Sequence, residues 1–295
     1  MADRSSPALT PLLAQGALLS PFKRPRSGAE VHPSRLVLRG VRIDVARLAR
    51  YERVCGFATG VDALPVTYPH VLGFPLAMRI MASRSFPLPL LGLVHTSIEI
   101  RQRQELAATG AYELGVRVEG LAPHRRGTEA AVVTEARVDG VLVWESRSTY
   151  LARHRTTTGV RTPERAPDES KPLPVRAEWR LGGDVGRRYG AVSGDRNPIH
   201  LHPLAARLFG FRRAIAHGMW TVARCLAEHG PQSAVRVHAD FRAPVLLPGT
   251  VAYAADGPAF ALRGPGAGPG ERPLLHLTGE IHPLLPAEPT RAGPP

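Results

Sequence analysis

Two residue types are nearly missing from this 295-residue sequence: it holds two cysteines and, among 38 basic residues, only two lysines, Lys23 and Lys171. Cys55 and Cys225 lie far apart in apolar surroundings, which excludes a disulfide framework and a Cys-x-x-Cys metal knuckle and predicts two small buried thiols. No run reaches the roughly eighteen apolar residues of a membrane helix. The N-terminal stretch is interrupted by Thr10, Pro11, Gln15 and Gly16 and carries no clean cleavage pattern, so it is not read as a signal peptide. These absences predict a cytoplasmic protein. No block of five like charges occurs either. The net charge of +13 is carried by scattered arginines, unlike the basic arms and stripes that track a nucleic-acid backbone. No nucleic-acid partner is expected.

What is present is enough apolar material, 43% of residues, for two ordinary domains or one large one. With 29 glycines and 29 prolines the chain turns often. Its ends, residues 1–29 and 286–295, read as loosely held segments. Residues 155–176, RTTTGVRTPERAPDESKPLPVR, lack apolar periodicity and read as a linker. The flanks of that linker share landmarks in the same order. Tyr51-x-x-Val54-Cys55-Gly56 answers Tyr189-x-x-Val192-Ser193-Gly194; Gly73, leading GFPLAMRIMA, answers Gly218, leading GMWTVARCLA; Val94-His95 through Ile98 answers Val237-His238 through Phe241. This predicts a diverged duplication, residues 30–154 and 177–285. After each third landmark come alternating runs, such as VLVWESRSTYLAR in the first half and LLHLTGEIHP in the second, which predict antiparallel strands. A helix precedes each set. The fold class expected is α+β, with a buried apolar helix wrapped by a curved sheet, twice. Met219, Val222, Ala223 and Leu226 fall near one face of the second helix and should be central.

The second half is seven residues longer between its first two landmarks, and the excess lies in the stretch that begins SGDRNPIHLHP. There Asp195 and His200 flank Asn197-Pro198, a pair that favours a turn, so a folded-back loop brings a carboxylate and an imidazole together. Acid–base work near neutrality wants that pairing. An Asp and a His at such spacing are more often structural than chemical, but here both fall within the expansion. The first half has Phe57 in place of Asp195 and no histidine in place of His200. His200, His202 and His217 with Asp195 would also make a nitrogen and oxygen cluster, yet the spacing is not a helical ligand pair, and no metal is expected. Ser193 lacks a nucleophile-elbow context. Gly218, opening an apolar helix, lets backbone N–H groups approach a ligand where the helix dipole favours negative charge. Since Gly73 holds the corresponding place, close packing is part of its role.

The run from Ala191 through Met219, with S-G-D-x-N-P-I-H and then I-A-H-G-M, closely resembles the MaoC-like (R)-specific enoyl-CoA hydratase and 3-hydroxyacyl-thioester dehydratase family. LPVTYPHVLGFPLAMRIM followed by GLVHTSIEI resembles the non-catalytic first half of its two-domain members. The resemblance implies a double hotdog in which residues 30–154 make room for the acyl chain and residues 177–285 carry the chemistry. It implies a hydro-lyase that interconverts trans-2-enoyl and (R)-3-hydroxyacyl thioesters of coenzyme A or acyl carrier protein, without a cofactor. Asp195 and His200 become the dyad and the Gly218 amide the donor to the thioester oxygen. Asn197, which holds the loop, and His217 count among the substrate-binding residues. Arg212 and Arg213, beside the motif, are candidates for the phosphates of coenzyme A or an acidic carrier. His202 stands where the family often has an aspartate. A hotdog acyl-thioesterase and a silent acyl-thioester-binding protein are the rival readings. A monomeric double hotdog and a homodimer are both compatible with the duplication.

Overall fold

The computed structural model describes residues 16, 20, 23, 35–156, 173–265 and 272–284. Most of the expected N-terminal segment, residues 157–172 of the expected linker, and the whole tail 286–295 lie outside the described residues. The first half runs β1 (Arg35–Arg42), α1 (Val45–Cys55), α2 (Tyr68–Ala82), β2 (Leu93–Gln102), β3 (Ala111–His124), β4 (Gly127–Val138) and β5 (Val141–Arg153). The second runs β6 (Val175–Leu181), α3 (Val185–Ser193), α4 (Pro198–Leu201), α5 (Pro203–Leu208), α6 (Gly218–His229), β7 (Val235–Phe241), β8 (Gly249–Asp256), β9 (Ala259–Gly264) and β10 (Leu274–Pro283). The first strand of the second half thus opens at Val175, inside the stretch read as linker.

The ten strands of the described residues form one sheet in the order β1-β3-β4-β5-β2-β7-β10-β9-β8-β6. Each half contributes five strands in mirrored order, and the halves meet where β2 pairs antiparallel with β7, Ser97 opposite Asp240 and Gln102 opposite Val235. Ser97 and Asp240 are also partners under the third landmark, so a pseudo-twofold axis passes between them.

Each half lays one apolar helix against the concave side of its strands. In α2 twelve of fifteen residues are buried, the all-round burial of a central helix. In α6 Met219, Val222, Ala223 and Leu226 are buried as expected, with Trp220 and Cys225 beside them. Cys55 and Cys225 are free and buried, and burial pushes both thiols well above their ordinary pKa. Tyr51 and Tyr189, the paired tyrosines of the first landmark, are both buried and face each other with ring centroids 6.0 Å apart.

The second landmark needs correcting. Gly218 opens α6, whereas Gly73 lies inside α2, which begins five residues earlier at Tyr68. Gly73 packs against Thr134 of β4 and Gly218 against Phe241 of β7. Both are close approaches of helix to sheet, but not at equivalent positions.

Candidate active site

The loop that carries Asp195 and His200 is held by the helix before it. α3 ends at Gly194 with φ 86°, a left-handed cap that turns the chain back. Gly186 and Gly190, one turn apart, leave a bare strip on α3 along which the returning backbone lies. A Cβ added at Gly186 would collide with the His200 carbonyl oxygen, and one at Gly190 would stand 2.8 Å from that of Asp195. Leu48 and Glu52 occupy the matching places on α1, and that half has no such loop.

Within the loop each turn is tied locally. Ser193 Oγ accepts from the Asp195 N–H at 3.2 Å, and Asp195 Oδ1 accepts from the Asn197 N–H at 3.1 Å. The Asn197 side chain caps α4 by accepting from the Ile199 N–H at 3.4 Å. Pro198 then occupies the first helical position, where its missing N–H costs nothing. His202 plays the same part for α5, its Nδ1 accepting from the Leu204 N–H at 3.2 Å.

His200 is buried, and its Nδ1 lies 2.8 Å from the Ile215 carbonyl oxygen. A carbonyl only accepts, so Nδ1 carries the proton and Nε2 keeps its lone pair. Burial lowers the His200 pKa; the Asp195 charge and the Ile215 carbonyl oppose that in part. His217, the N-cap of α6, stacks on His200 with ring centroids 3.7 Å apart. Its Nε2–H donates to the Asp195 carbonyl oxygen at 2.9 Å and stands 3.9 Å from Oδ2. Burial and the adjacent His200 bring its pKa down to about 3, so both rings are neutral at physiological pH.

One donor atom each from Asp195, His200 and His217 lies within 4.8 Å of the others. That is compact enough for a cation, but two nearly parallel stacked rings aim their in-plane lone pairs side by side and not at one point, a poor fit to tetrahedral coordination. The arrangement suits a shared proton and a held water better. In front of it stands the N-terminus of α6, whose first N–H groups have no acceptor within the helix. A Cβ at Gly218 would come 2.9 Å from the Phe241 ring, so glycine lets the first turn of the helix pack directly on that ring.

The structure brings together Asp195, Asn197, His200, His217 and Gly218. Arg212 and Arg213 are exposed, and Arg213 Nη1 donates to the Pro248 carbonyl oxygen at 2.7 Å. Sequence reasoning missed Arg47. Reaching across from α1, its Nε donates to the Val192 carbonyl at 2.7 Å and its Nη2 to that of Ser193 at 3.2 Å, the last turn before Asp195. It also missed a polar cluster of the first half, buried His70 with half-buried His95 and Tyr150, although His95 had served as a landmark.

Residues 159–256 match the MaoC like domain. The chain is 40% identical over 220 residues to 3-hydroxyacyl-thioester dehydratase X of Mycobacterium tuberculosis, covering 73% of this chain and 78% of that protein. It belongs to the MaoC-like dehydratase family. The crystal structure of HtdX from the same bacterium superposes with a TM-score of 0.72 at 35% identity, covering 85% of this chain and all of that one. A further M. tuberculosis protein, described as having a double hotdog fold, matches with a TM-score of 0.53 at 13% identity, over 83% of this chain and 94% of its own. This MaoC-like chain therefore has the α+β double-hotdog fold, and the family's members are hydro-lyases of the hydratase and dehydratase kind. Among the described residues no helix is long and apolar enough to cross a membrane.

Proposed function

We propose that this protein is an (R)-specific hydratase/dehydratase that adds water to trans-2-enoyl thioesters and removes it from (R)-3-hydroxyacyl thioesters. Asp195 and His200 form its dyad. The observation that carries the reading is the neutral His200 with Nε2 open, beside the Asp195 carboxylate and before the α6 N-terminus.

In hydration, the Asp195 carboxylate and His200 Nε2 hold one water, and Nε2 takes its proton as the oxygen bonds to the β-carbon. The double-bond electrons move onto the thioester carbonyl, and the Gly218 N–H with the α6 dipole meets the resulting enolate oxygen. The proton returns through the dyad to the α-carbon. Because one dyad on one face handles both the oxygen and the proton, addition is syn. Asn197 positions the Asp195 loop. His217, whose Nδ1 is buried without a partner among the described residues, offers an acceptor to the substrate. Arg212 and Arg213 supply exposed positive charge for the phosphates of coenzyme A or for an acidic carrier protein.

Residues 30–154 serve as the non-catalytic hotdog, residues 177–285 as the catalytic one, and the substrate reaches the dyad between them. The buried, free cysteines accord with a cytoplasmic protein. We read the functional unit as the double hotdog of one chain, alone or as a homodimer. The test is hydration of trans-2-butenoyl-CoA, followed as loss of enoyl absorbance, in wild type, Asp195→Asn and His200→Ala. Each substitution should cost about 10²–10⁴ in kcat with the thermal melt preserved. Turnover that survives in both variants rejects the dyad, and free thiol released in place of hydrated product points to a thioesterase.

A further inference from the structure

The inner face of the first hotdog is polar where a hotdog buries apolar side chains. Ser146, Ser148 and Tyr150 alternate along β5 and so share one face. That face looks toward α2, because Ser146 Oγ lies 3.4 Å from His70 Nδ1. Both serines are buried. Tyr150 sits directly opposite His95 of β2, their rings stacked with centroids 4.5 Å apart, and His70 stacks on the other side of His95 at 6.2 Å. In β10, the corresponding strand of the catalytic half, Leu277 and Gly279 take the places of Ser148 and Tyr150, and His276 is the polar residue buried beside them. Ser148 and Tyr150 therefore have no polar counterparts in the other half.

Two further observations give the cluster a direction and a need. His95 also contacts the ring of Phe241, centroids 4.7 Å apart, and Phe241 lies against Gly218. The cluster thus begins one ring away from the N–H group that meets the thioester oxygen. His95 Nε2 is buried with no hydrogen-bond partner among the described residues, and an unmet buried nitrogen is costly unless something arrives to satisfy it. Burial keeps His70 and His95 neutral, with pKa values down to about 4 and about 3, and raises that of Tyr150. The site offers uncharged donors and acceptors and no fixed charge.

We propose that His95, Tyr150 and His70 form a polar subsite for a neutral hydrogen-bonding group of the thioester substrate, a hydroxyl or an amide, a short distance beyond the thioester carbonyl. This rests on the dehydratase reading and deepens it: the substrate is held by a hydrogen bond from this half as well as by apolar contacts. A hydroxyl on the acyl chain is the first source of such a group, and an amide of the pantetheine arm is the second. A charged carboxylate or ammonium does not fit, since neutral imidazoles and an un-ionised phenol offer it no counter-charge.

The experiment measures kcat/KM for hydration of an eight-carbon trans-2-enoyl-CoA, the same chain bearing one hydroxyl at its fifth, sixth or seventh carbon, and the plain chain as an S-ethyl thioester. Wild type is compared with Tyr150→Phe, which removes one oxygen and keeps the ring, and with His95→Phe. We expect wild type to favour one hydroxylated chain over the plain one by about tenfold, the worth of a net hydrogen bond, and the ratio to fall close to one in both variants. If wild type shows no such ratio but both variants lose about tenfold on the plain CoA thioester and nothing on the S-ethyl thioester, the subsite reads the pantetheine amide, and the proposal stands with that source. If all ratios are near one and neither variant distinguishes the two thioesters, the subsite is rejected while hydration by wild type leaves the dehydratase reading intact. Absence of hydration in wild type removes that reading itself.

Discussion

At the scale of single residues, the site depends on what is left out as much as on what reacts. Gly186 presents no side chain to the His200 carbonyl, and a methyl there has only backbone to push against. Gly186→Ala is favoured by helix propensity by about 1 kcal/mol, yet it should lower kcat by about 10², because displacing His200 by an ångström spoils its aim. A steady-state assay beside a thermal melt checks this: an alanine variant with full kcat would show that the contact does not set the dyad. The meeting of Asp195 with His200 was legible because their residue types draw attention and the duplication left them without counterparts. The glycine strip was just as visible in GRRYG, but a glycine four residues from another says nothing about what approaches it until the loop is seen lying there. His70, His95 and Tyr150 were hidden for a related reason, since only the pairing of β2 with β5 and the packing of α2 on that sheet bring residues so distant in sequence together.

At the scale of elements, the two halves brace each other's helix ends. Arg47 of α1 donates to the carbonyls of Val192 and Ser193, and in return Trp220 of α6 donates its Nε1–H to the Val54 carbonyl at 2.9 Å. Val54 and Val192 are partners under the first landmark. Only the Arg47 contact leads straight into the loop that carries Asp195, so under the proposed function Arg47 is a positioning residue. Arg47→Ala should lower kcat by about tenfold or more, on the scale of one lost hydrogen bond to a charged donor, with KM little changed. Arg47→Lys should recover part of it, and a fall in stability alone, with kcat kept, would reduce the contact to a brace. The strands after each third landmark matched their sequence patterns closely, VLVWESRSTYLAR coinciding with β5. β1 and β6 escaped for physical reasons. Gly40, at φ 68°, bulges β1 and breaks its alternation, while β6 starts directly after the prolines that made its approach look like linker.

At the scale of the whole molecule, four neutral histidines are enclosed where the halves meet: His70, His95, His200 and His217. Unfolding frees them to bind protons near pH 6.5. Their folded values are depressed, so their stabilising contribution is full above that pH and is lost as pH falls toward the folded values. Between pH 6 and pH 5, His70, His95 and His217 should together remove about 4 kcal/mol, at about 1.4 kcal/mol each per unit. Melting temperatures should drop steeply over that interval, and a flat profile would contradict the enclosure. Burial acts on His200 in the same direction and favours its neutral form. The arginine excess, for its part, stands among acids on the strands: Glu135 meets Arg35, Arg117 and Arg137, and Glu99 meets Arg101 and Arg236. Pairs whose arginines stand this open to solvent add little stability.

The central pairing of β2 with β7 carries one more consequence. An enzyme assembled from two separate subunits loses its second half on dilution, whereas here both halves lie on one polypeptide and meet at an effective concentration fixed by the tether. The union of the two halves is a first-order event. Under the proposed function, one half need not match the other: the first carries Phe57 where the second carries Asp195 and has His70, His95 and Tyr150 for recognition.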